Sequence, residues 1–292
     1  MAETPFKTWL DGLAALPGNV VTGDLVAVIR GGVSYKADGS KFAGSGGGGG
    51  DTVSRETVVY SADDFGYGAT LNTSGAFLRE LRFQFASTAA SCSFSATQGS
   101  AMSGAANLYP GTTATGKAGF HFIAPFALAN STSGKDTKFV GRAMPGDSVS
   151  TSTDRYTSVI GLVEQASLDN PYSASLIGCY FRYSDDINSG KWQAVISDGT
   201  NVNVFDTGVA GGTQFRRFKI LVDRRTAANG GAGIRFYVDG VLTNTVAIAS
   251  ASAWAALSGY FLSGAAAIYK RVGTGGINMS VDYIEQQFYR ID

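Results

Sequence analysis

The chain has 292 residues, of which 23 are basic and 23 acidic, and 44% are hydrophobic. Zero net charge and the lack of a basic run argue against nucleic-acid binding, which needs an excess of lysine and arginine on one face. No stretch of about 18 apolar residues is present, so no membrane-spanning helix is predicted, and the start of the chain lacks the basic and apolar segments of a signal peptide.

The composition favours a β-rich fold. Glycine occurs 39 times, phenylalanine 18 times and tyrosine 13 times, a mixture typical of sheets joined by tight turns. A chain of this length buries enough surface for one large all-β domain with a small appendage. The two cysteines, Cys92 and Cys179, lie among apolar or small residues, so we interpret them as free, buried thiols.

The N-terminal segment predicts a short helix followed by a β-hairpin. The sequence TPFKTWLDGLAALPG has the apolar spacing of an amphipathic helix, and Leu25–Ile29 and Val33–Lys36 predict two strands joined at Gly31-Gly32. Because both elements are marginal in water by themselves, their apolar side chains are expected to contact another protein, another copy or the chain's own main domain. The residues predicted to form this anchoring or oligomer interface are Phe6, Trp9, Leu10, Leu13, Leu25, Val26, Val28 and Ile29.

A glycine-rich tract over residues 44–50 separates this appendage from the rest of the chain. Such a tract behaves as a flexible linker and favours independent positions of the two parts. We therefore predict three parts: a helix and hairpin over residues 1–43, a linker over 44–50, and a main domain over 51–292.

Residues 16–38, LPGNVVTGDLVAVIRGGVSYKAD, carry a first family resemblance. The pattern of Leu-Pro, a spacer and Asp-Leu-Val-x-Val-Ile-x-Gly-Gly resembles an N-terminal segment of tail-fibre and other appendage proteins of tailed bacteriophages. The resemblance implies a virion protein that is made in the host cytoplasm and exposed on the particle surface. It also implies attachment to other virion proteins through the N-terminus, and a homotrimer.

From residue 51 onward the chain alternates short predicted strands and turns. In FRRFKILVD, Phe218, Ile220 and Val222 fall on one face, and in GIRFYVDGVLTNTVA the pair Asp239-Gly240 supplies a hairpin turn. Similar strands are predicted in LRELRFQFAS, SLIGCYFRY, KWQAVISDG and VDYIEQQFYR. Regular short strands with such turns predict a β-sandwich or jelly roll.

The run from residue 156 to 289 resembles the concanavalin A-like or laminin G-like β-sandwiches. The resemblance is carried by KWQAVISDG, FRRFKILVD, IRFYVDGVLTNTV and VDYIEQQFYR. It implies an all-β fold, a concanavalin-like jelly-roll sandwich, to which the N-terminal helix and hairpin are added. Sandwiches of this kind often bind glycans, and they also serve as plain structural modules.

The sequence offers few catalytic groups. His121 is the only histidine, which excludes a Ser-His-Asp triad, a Cys-His pair and multi-histidine metal sites, and we interpret it as a buried structural residue. Glycoside hydrolysis needs two carboxylates across the scissile bond, and none of the five glutamates falls in the Glu-x-Asp-x-x-Glu pattern of related glucanases. We therefore predict that the protein is not an enzyme, with a polysaccharide depolymerase as the least favoured alternative.

Acidic and aromatic loop residues provide the candidate ligand site. The segment YSDDINSG offers oxygen ligands of the kind that calcium requires, and turn formation by the same side chains is the alternative. Tyrosines beside loops are placed to stack on sugar rings, although core packing is the commoner fate of such rings. The predicted carbohydrate-binding residues are Tyr172, Tyr183, Asp185, Asp186 and Asn188. No cofactor is predicted, with calcium at Asp185 and Asp186 as the alternative.

These features predict a tail-fibre or tail-tip protein that displays a lectin-like domain for recognition of a host-surface glycan. A capsid-decoration or head-fibre protein is the alternative role for such a virion protein. The expected partners are other virion proteins, further copies of the chain and a surface glycan, without nucleic acid or membrane insertion.

Overall fold

A computed structural model describes residues 25–30, 33–38, 56–63, 65, 70–71, 77–78, 81–85, 90–95, 104–123, 125–127, 137–146, 150–166, 168, 176–223, 233–247 and 260–291. The predicted helix with Phe6, Trp9, Leu10 and Leu13, the glycine-rich tract and Tyr172 lie outside these residues. So do the side chains of Leu25, Val26, Val28 and Ile29, of which only the backbone is described. Within the described part of the chain, no helix has the length and apolar character needed to cross a membrane.

The described residues form β-strands in the following order: β1 (Leu25–Arg30), β2 (Val33–Asp38), β3 (Glu56–Asp63), β4 (Thr70–Leu71), β5 (Phe77–Leu78), β6 (Leu81–Phe85), β7 (Ser91–Ser95), β8 (Ala105–Tyr109), β9 (Lys117–Phe122), β10 (Phe126–Ala127), β11 (Thr137–Met144), β12 (Tyr156–Glu164), β13 (Gly178–Tyr183), β14 (Lys191–Ser197), β15 (Val202–Ala210), β16 (Arg216–Asp223), β17 (Gly233–Val238), β18 (Val241–Ala247), β19 (Phe261–Lys270) and β20 (Met279–Ile291). One turn of 3-10 helix, Asn188–Gly190, lies between β13 and β14.

Two antiparallel sheets contain most of these strands. Sheet I has the order β15-β14-β13-β12-β19-β9-β6-β5, with β10 beside β19. Sheet II has the order β18-β17-β16-β11-β20-β8-β7-β4, with β3 beside β20. The prediction of an all-β sandwich is confirmed.

Side-chain alternation gives sheet II one apolar face, whereas sheet I carries a second buried apolar cluster on its other face, with Val159, Tyr180 and Tyr269. In β16, Phe218, Ile220 and Val222 are fully buried, whereas Arg217, which immediately precedes Phe218, is exposed, as predicted. The β17–β18 hairpin turns at Asp239 and Gly240, whose φ angles are +52° and +83°. Positive φ at both central residues gives the turn a twist that matches the flanking strands, which confirms the predicted hairpin.

The main core lies between the two sheets. Phe218 of sheet II packs against two rings of sheet I, with centroid distances of 5.0 Å to Phe181 and 4.5 Å to Trp192. Burial of each such side chain stabilises the fold by about 1.5–3 kcal/mol. Cys92 and Cys179 are both buried and unpaired, which confirms their interpretation as free thiols.

The N-terminal hairpin forms a two-stranded sheet of its own. Arg30 pairs with Val33 at the end of the two strands, and the two glycines predicted to form the turn lie outside the described residues. Strand β2 lies close to β3, which is part of sheet II. This position corresponds to the alternative in which the hairpin contacts the chain's own main domain, while the division into three parts stays a prediction.

Candidate functional site

One end of the sandwich, the loop end, carries the loops that follow β11, β13, β15 and β19. The strand register brings these loops together, because Tyr156 pairs with Lys270, Ser158 with Tyr183, and Lys191 with Ala210. The predicted loop residues Asp185, Asp186 and Asn188 lie here. Residues from distant parts of the chain surround them, and no local pattern in the sequence indicates these neighbours.

Two arginines hold the predicted acidic pair at the loop end. Arg155 contacts Asp185 through two bonds, Nε to Oδ1 at 3.0 Å and Nη2 to Oδ2 at 3.1 Å. Arg271 donates to Asp186 Oδ1 at 2.7 Å. The Ser150 hydroxyl adds a hydrogen bond to Asp185 Oδ1 at 2.6 Å. Both carboxylates therefore serve to join three loops.

These contacts also determine the ionisation of the pair. Burial opposes ionisation of Asp185, but hydrogen bonds from Arg155 and Ser150 outweigh it, so the pKa of this carboxyl lies below its ordinary value. For Asp186 the same opposition from burial is outweighed by Ser184 and Arg271, and its pKa is also lowered. Both groups are carboxylates at neutral pH.

The predicted calcium alternative does not fit these residues. A calcium ion takes six to eight oxygen ligands, whereas the oxygens of Asp185 and Asp186 face two guanidinium groups. Among the described residues, no group of three or more histidine, cysteine, aspartate or glutamate side chains is placed to hold a metal ion. The acidic pair is explained by its arginine partners.

Tyr183 does not lie on the surface as the sugar-stacking prediction required. Its side chain is fully buried, with ring centroids 5.9 Å from Tyr156 and 5.6 Å from Trp192. The physical reason is alternation along β13, which places Tyr183 on the same inward face as Cys179 and Phe181. In this position the ring packs in the core and offers no face to a glycan.

Asn188 belongs to a separate group of polar side chains, Asn188, Lys191 and Asp206, which we call the 188–206 cluster. Asn188 Nδ2 donates to Asp206 Oδ1 at 2.7 Å, and Lys191 Nζ lies 3.7 Å from Asp206 Oδ2. The Gly208 amide donates to the same Asp206 Oδ1 at 2.7 Å. The side chains of Lys191 and Asp206 are 42% and 48% exposed, so the cluster faces solvent.

The backbone that presents Asn188 has an unusual conformation. Asn188, Ser189 and Gly190 have φ angles of +53°, +55° and +71°, so three consecutive residues are left-handed. Two of them carry side chains, for which this region is uncommon and costs free energy. The Gly211 amide donates to the Gly190 carbonyl at 2.8 Å and fastens this turn to the loop after β15. Such locally costly backbone is concentrated at functional sites.

The ionisation of Asp206 follows from its partners. The Asn188 amide and the Gly208 backbone amide both donate to its carboxylate, and they hold the pKa of Asp206 below its ordinary value. The carboxylate is therefore a fixed, charged acceptor. Asn188 supplies an amide beside it and Lys191 an ammonium, so acceptors and donors are held side by side.

Strand β20 carries two carboxylates at the spacing of the glucanase pattern, a match that the sequence analysis missed. Ser280, Asp282 and Glu285 have the spacing of Glu-x-Asp-x-x-Glu, with serine at the first position. Asp282 accepts from Arg142 at 2.9 Å, and Glu285 from Lys138 at 2.5 Å. The two carboxylates thus form ion pairs on the outer face of sheet II, and a β-bulge opposite Arg142 shifts the local register.

Comparisons with known proteins identify the architecture. No protein-family model matches the chain, and no curated protein matches it by sequence. The endo-1,3-β-glucanase of Streptomyces sioyaensis matches with a TM-score of 0.51 and 14% identity, over 80% of this chain and 97% of that chain. The fold is that of the concanavalin A-like β-sandwiches.

Two further solved structures are similar. Protein SO2946 of unknown function from Shewanella oneidensis MR-1 has a TM-score of 0.50 and 13% identity, over 99% of this chain and 96% of that chain. The carbohydrate recognition domain of Emp47p has a TM-score of 0.47 and 11% identity, over 83% of this chain and 100% of that chain. At these identities the comparisons establish the fold alone.

The comparisons correct one prediction. The conclusion that the protein is not an enzyme is contradicted, because a glucanase shares the architecture over most of this chain. One fold carries many kinds of site, so the absence of one carboxylate spacing does not exclude an enzyme.

Proposed function

We propose that this protein binds a host-surface glycan through the 188–206 cluster while its N-terminal segment attaches it to a phage particle. The observation that carries the glycan-binding part is the exposed pair of a hydrogen-bonded amide and carboxylate, Asn188 and Asp206, with the Lys191 ammonium 3.7 Å from the same carboxylate. Sugar hydroxyls donate and accept hydrogen bonds, so they require both kinds of partner in fixed positions. Rigid partners lower the ordering cost of binding.

The fold supports the same proposal. Its neighbours include, by their names, a glucanase and a carbohydrate recognition domain, so related architectures carry sites for carbohydrates. The loop end joins four loops on a rigid sandwich, an arrangement on which binding residues are often placed. Ion pairs from Arg155 and Arg271 hold the loop that carries Asn188, and in this way Asp185 and Asp186 act as positioning residues.

Attachment to a virion is supported by the N-terminal pattern over residues 16–38 and by the separate sheet that β1 and β2 form. A small sheet of two strands is marginal by itself; β2 lies close to β3 of sheet II, and we propose that another virion protein supplies a further partner. We place the protein on a tail fibre or tail tip, as a trimer, with the sandwich facing the host.

Glycan binding is tested on an array of bacterial surface polysaccharides with the full chain. We expect Asp206→Asn to weaken binding about tenfold, because it removes the charge that strengthens hydrogen bonds from sugar hydroxyls. Asp198→Asn is the matched control, since Asp198 lies at the opposite end of β14 and β15 and bonds its own turn at Thr200 and Asn201. An equal loss of binding in the two variants would refute the assignment of the cluster. So would a failure of the unmodified full chain to bind any polysaccharide on the array.

Virion attachment is tested by supplying particles with the full chain or with a chain that lacks residues 1–43. We expect only the full chain to be incorporated, and electron microscopy to place it on the tail. Normal incorporation of the shortened chain would show that the N-terminal segment is not the anchor. Density on the capsid surface, in a number of copies that matches the capsid lattice, would favour a head-decoration protein.

A further inference from the structure

We propose that the outer face of sheet II is a second binding surface, which takes an acidic polysaccharide. Its centre is formed by Arg142, Arg217 and Lys219, and we call these three residues the cationic surface. The inference goes beyond the proposed function, because it concerns another face of the sandwich and needs no contribution from the 188–206 cluster.

Strand register places the three cations side by side. Arg142 of β11 lies directly opposite Arg217 of β16, and Lys219 lies opposite Val140. Side chains opposed in this way have Cβ atoms about 4.5–5.5 Å apart, and alternate residues of one strand are about 7 Å apart. Because Phe218 of the same strand points into the core, Arg217 and Lys219 point outward.

The charge of Arg217 is not neutralised within the described part of the chain. Its guanidinium makes no ion pair or hydrogen bond there, and the nearby carboxylate of Asp239 already has other partners. Asp239 Oδ2 accepts from Arg216 at 2.8 Å, and Oδ1 accepts from the backbone amide of Arg217 at 2.9 Å. The Lys219 ammonium lies 4.9 Å above the ring of Tyr237, without a carboxylate partner among the described residues.

Arg142 and the remaining cations on this face have acidic partners of their own. These pairs are Lys138 with Glu285 at 2.5 Å, Arg142 with Asp282 at 2.9 Å, and Arg235 with Asp223 at 2.7 Å. Arg217 and Lys219 therefore give the face a local excess of positive charge, although the whole chain has none. Because Asp282 already pairs with Arg142, the cations that remain for an anionic ligand are Arg217 and Lys219.

The chemistry of the face favours a polysaccharide over an acidic peptide. Extended peptides commonly bind by adding a strand to a sheet edge, whereas β16 lies inside sheet II between β11 and β17. Two partly exposed rings accompany the cations: Phe215 lies 5.4 Å from the guanidinium of Arg142, and Tyr237 lies beneath Lys219. Sugar rings pack their C–H faces on aromatic rings while their carboxylates pair with cations.

The test measures binding of the full chain to immobilised polygalacturonate, with neutral dextran and polyglutamate on parallel surfaces. We expect binding to polygalacturonate alone, and weaker binding as salt is raised. Arg217→Gln and Lys219→Gln should each weaken it about threefold, and the double variant about tenfold. Arg182→Gln is the matched control; Arg182 lies on sheet I and bonds Gln193 at 2.8 Å, and its loss should change binding by less than about twofold.

Three outcomes would overturn the inference: no binding to polygalacturonate, equal binding by the double variant, or equally strong binding to polyglutamate with the same loss in the double variant. The last would identify an acidic polypeptide as the ligand. Thermal unfolding of every variant shows whether a loss reflects misfolding, and both side chains point away from the core. The polysaccharide array and the polygalacturonate surface are read separately, so failure of the proposed function and failure of this inference are distinguishable.

Discussion

Arg155 holds Asp185 through two hydrogen bonds, at 3.0 Å and 3.1 Å, although thirty positions separate the two residues in sequence. Two parallel bonds between a guanidinium and a carboxylate fix orientation as well as distance. Because Arg155 precedes β12 and Asp185 follows β13, the pair holds two loops together at the open end of neighbouring strands. The Ser150 hydroxyl, which lies in the same loop as Arg155, adds another bond to Asp185 between these two loops.

Removing this carboxylate is expected to destabilise the loop end. Asp185→Asn should lower the free energy of unfolding by roughly 1 kcal/mol, because a neutral amide replaces a partly buried acceptor of two charged bonds. The measurement is urea unfolding followed by tryptophan fluorescence. Asp239→Asn is the control: Asp239 also pairs with an arginine, but at an exposed turn, and its change should stay within about 0.5 kcal/mol. Equal effects would mean that the Asp185 contacts contribute no special stability.

Acid is expected to weaken the fold through the same carboxyls. The pKa values of Asp185 and Asp186 are lowered in the folded chain, so their contribution is complete above the unfolded value of about 3.9 and is lost as pH falls through the lower folded values. Urea unfolding measured from pH 5 downward should show declining stability. The double change of both residues to asparagine should flatten this decline, and an unchanged slope would contradict the prediction.

Two adjacent glycines should respond differently to alanine. A Cβ on Gly211 would lie 1.8 Å from Cε2 of the buried Tyr183, whereas a Cβ on Gly212 would meet no atom within 4 Å. Overpacking of this kind costs about 1–3 kcal/mol, so Gly211→Ala should unfold at lower urea. Gly212→Ala should be neutral within about 0.5 kcal/mol. If both variants behave alike, Tyr183 does not pack beneath Gly211.

The two thiols are expected to be unreactive in the folded chain. Burial raises the pKa of both Cys92 and Cys179, which keeps them in the less reactive thiol form, and burial also blocks access. An aromatic disulfide reagent at pH 8 should therefore report no free thiol in native protein and both thiols in denaturant. Rapid labelling of the native protein would show that one of these strands opens readily.

A trimer is expected by resemblance. Light scattering on the full chain should give three times the 30.3 kDa chain mass. The chain without residues 1–43 should be smaller than a trimer if the N-terminal apolar residues form the interface. A trimer that survives the deletion would place the contact on the sandwich.

The sequence predicted the fold better than the site, for reasons that particular residues illustrate. Alternation in β16 and the Asp239-Gly240 turn are local signals, and both produced correct elements. Alternation from Phe181 would also have placed Tyr183 inward, so that error came from weighing a neighbouring loop above the strand pattern. Arg271 lies 85 positions from Asp186, and only the strand order brings them together.

The cationic surface, like the contact between Arg271 and Asp186, arises from strand pairing and not from a local sequence pattern. No basic run exists in the sequence, and Arg142 and Arg217 become neighbours only because β11 and β16 pair in one register. A shift of that register by a single residue would turn one set of side chains toward the core. Charge counting along the chain, which argued against nucleic-acid binding, does not reveal a local excess of positive charge of this kind.

Strand β20 sets a condition on synthesis. It lies inside sheet II, with β11 along one side and β8 and β3 in succession along the other, and Ser280 bonds Asn107 across 173 positions. During translation, those three strands stay without their shared neighbour until residues 279–291 have left the ribosome. Pairing at such long range is slow, and exposed strand edges invite association with other chains in the meantime. The growing chain therefore passes through a long interval in which chaperones that cover these edges would raise the yield of folded protein.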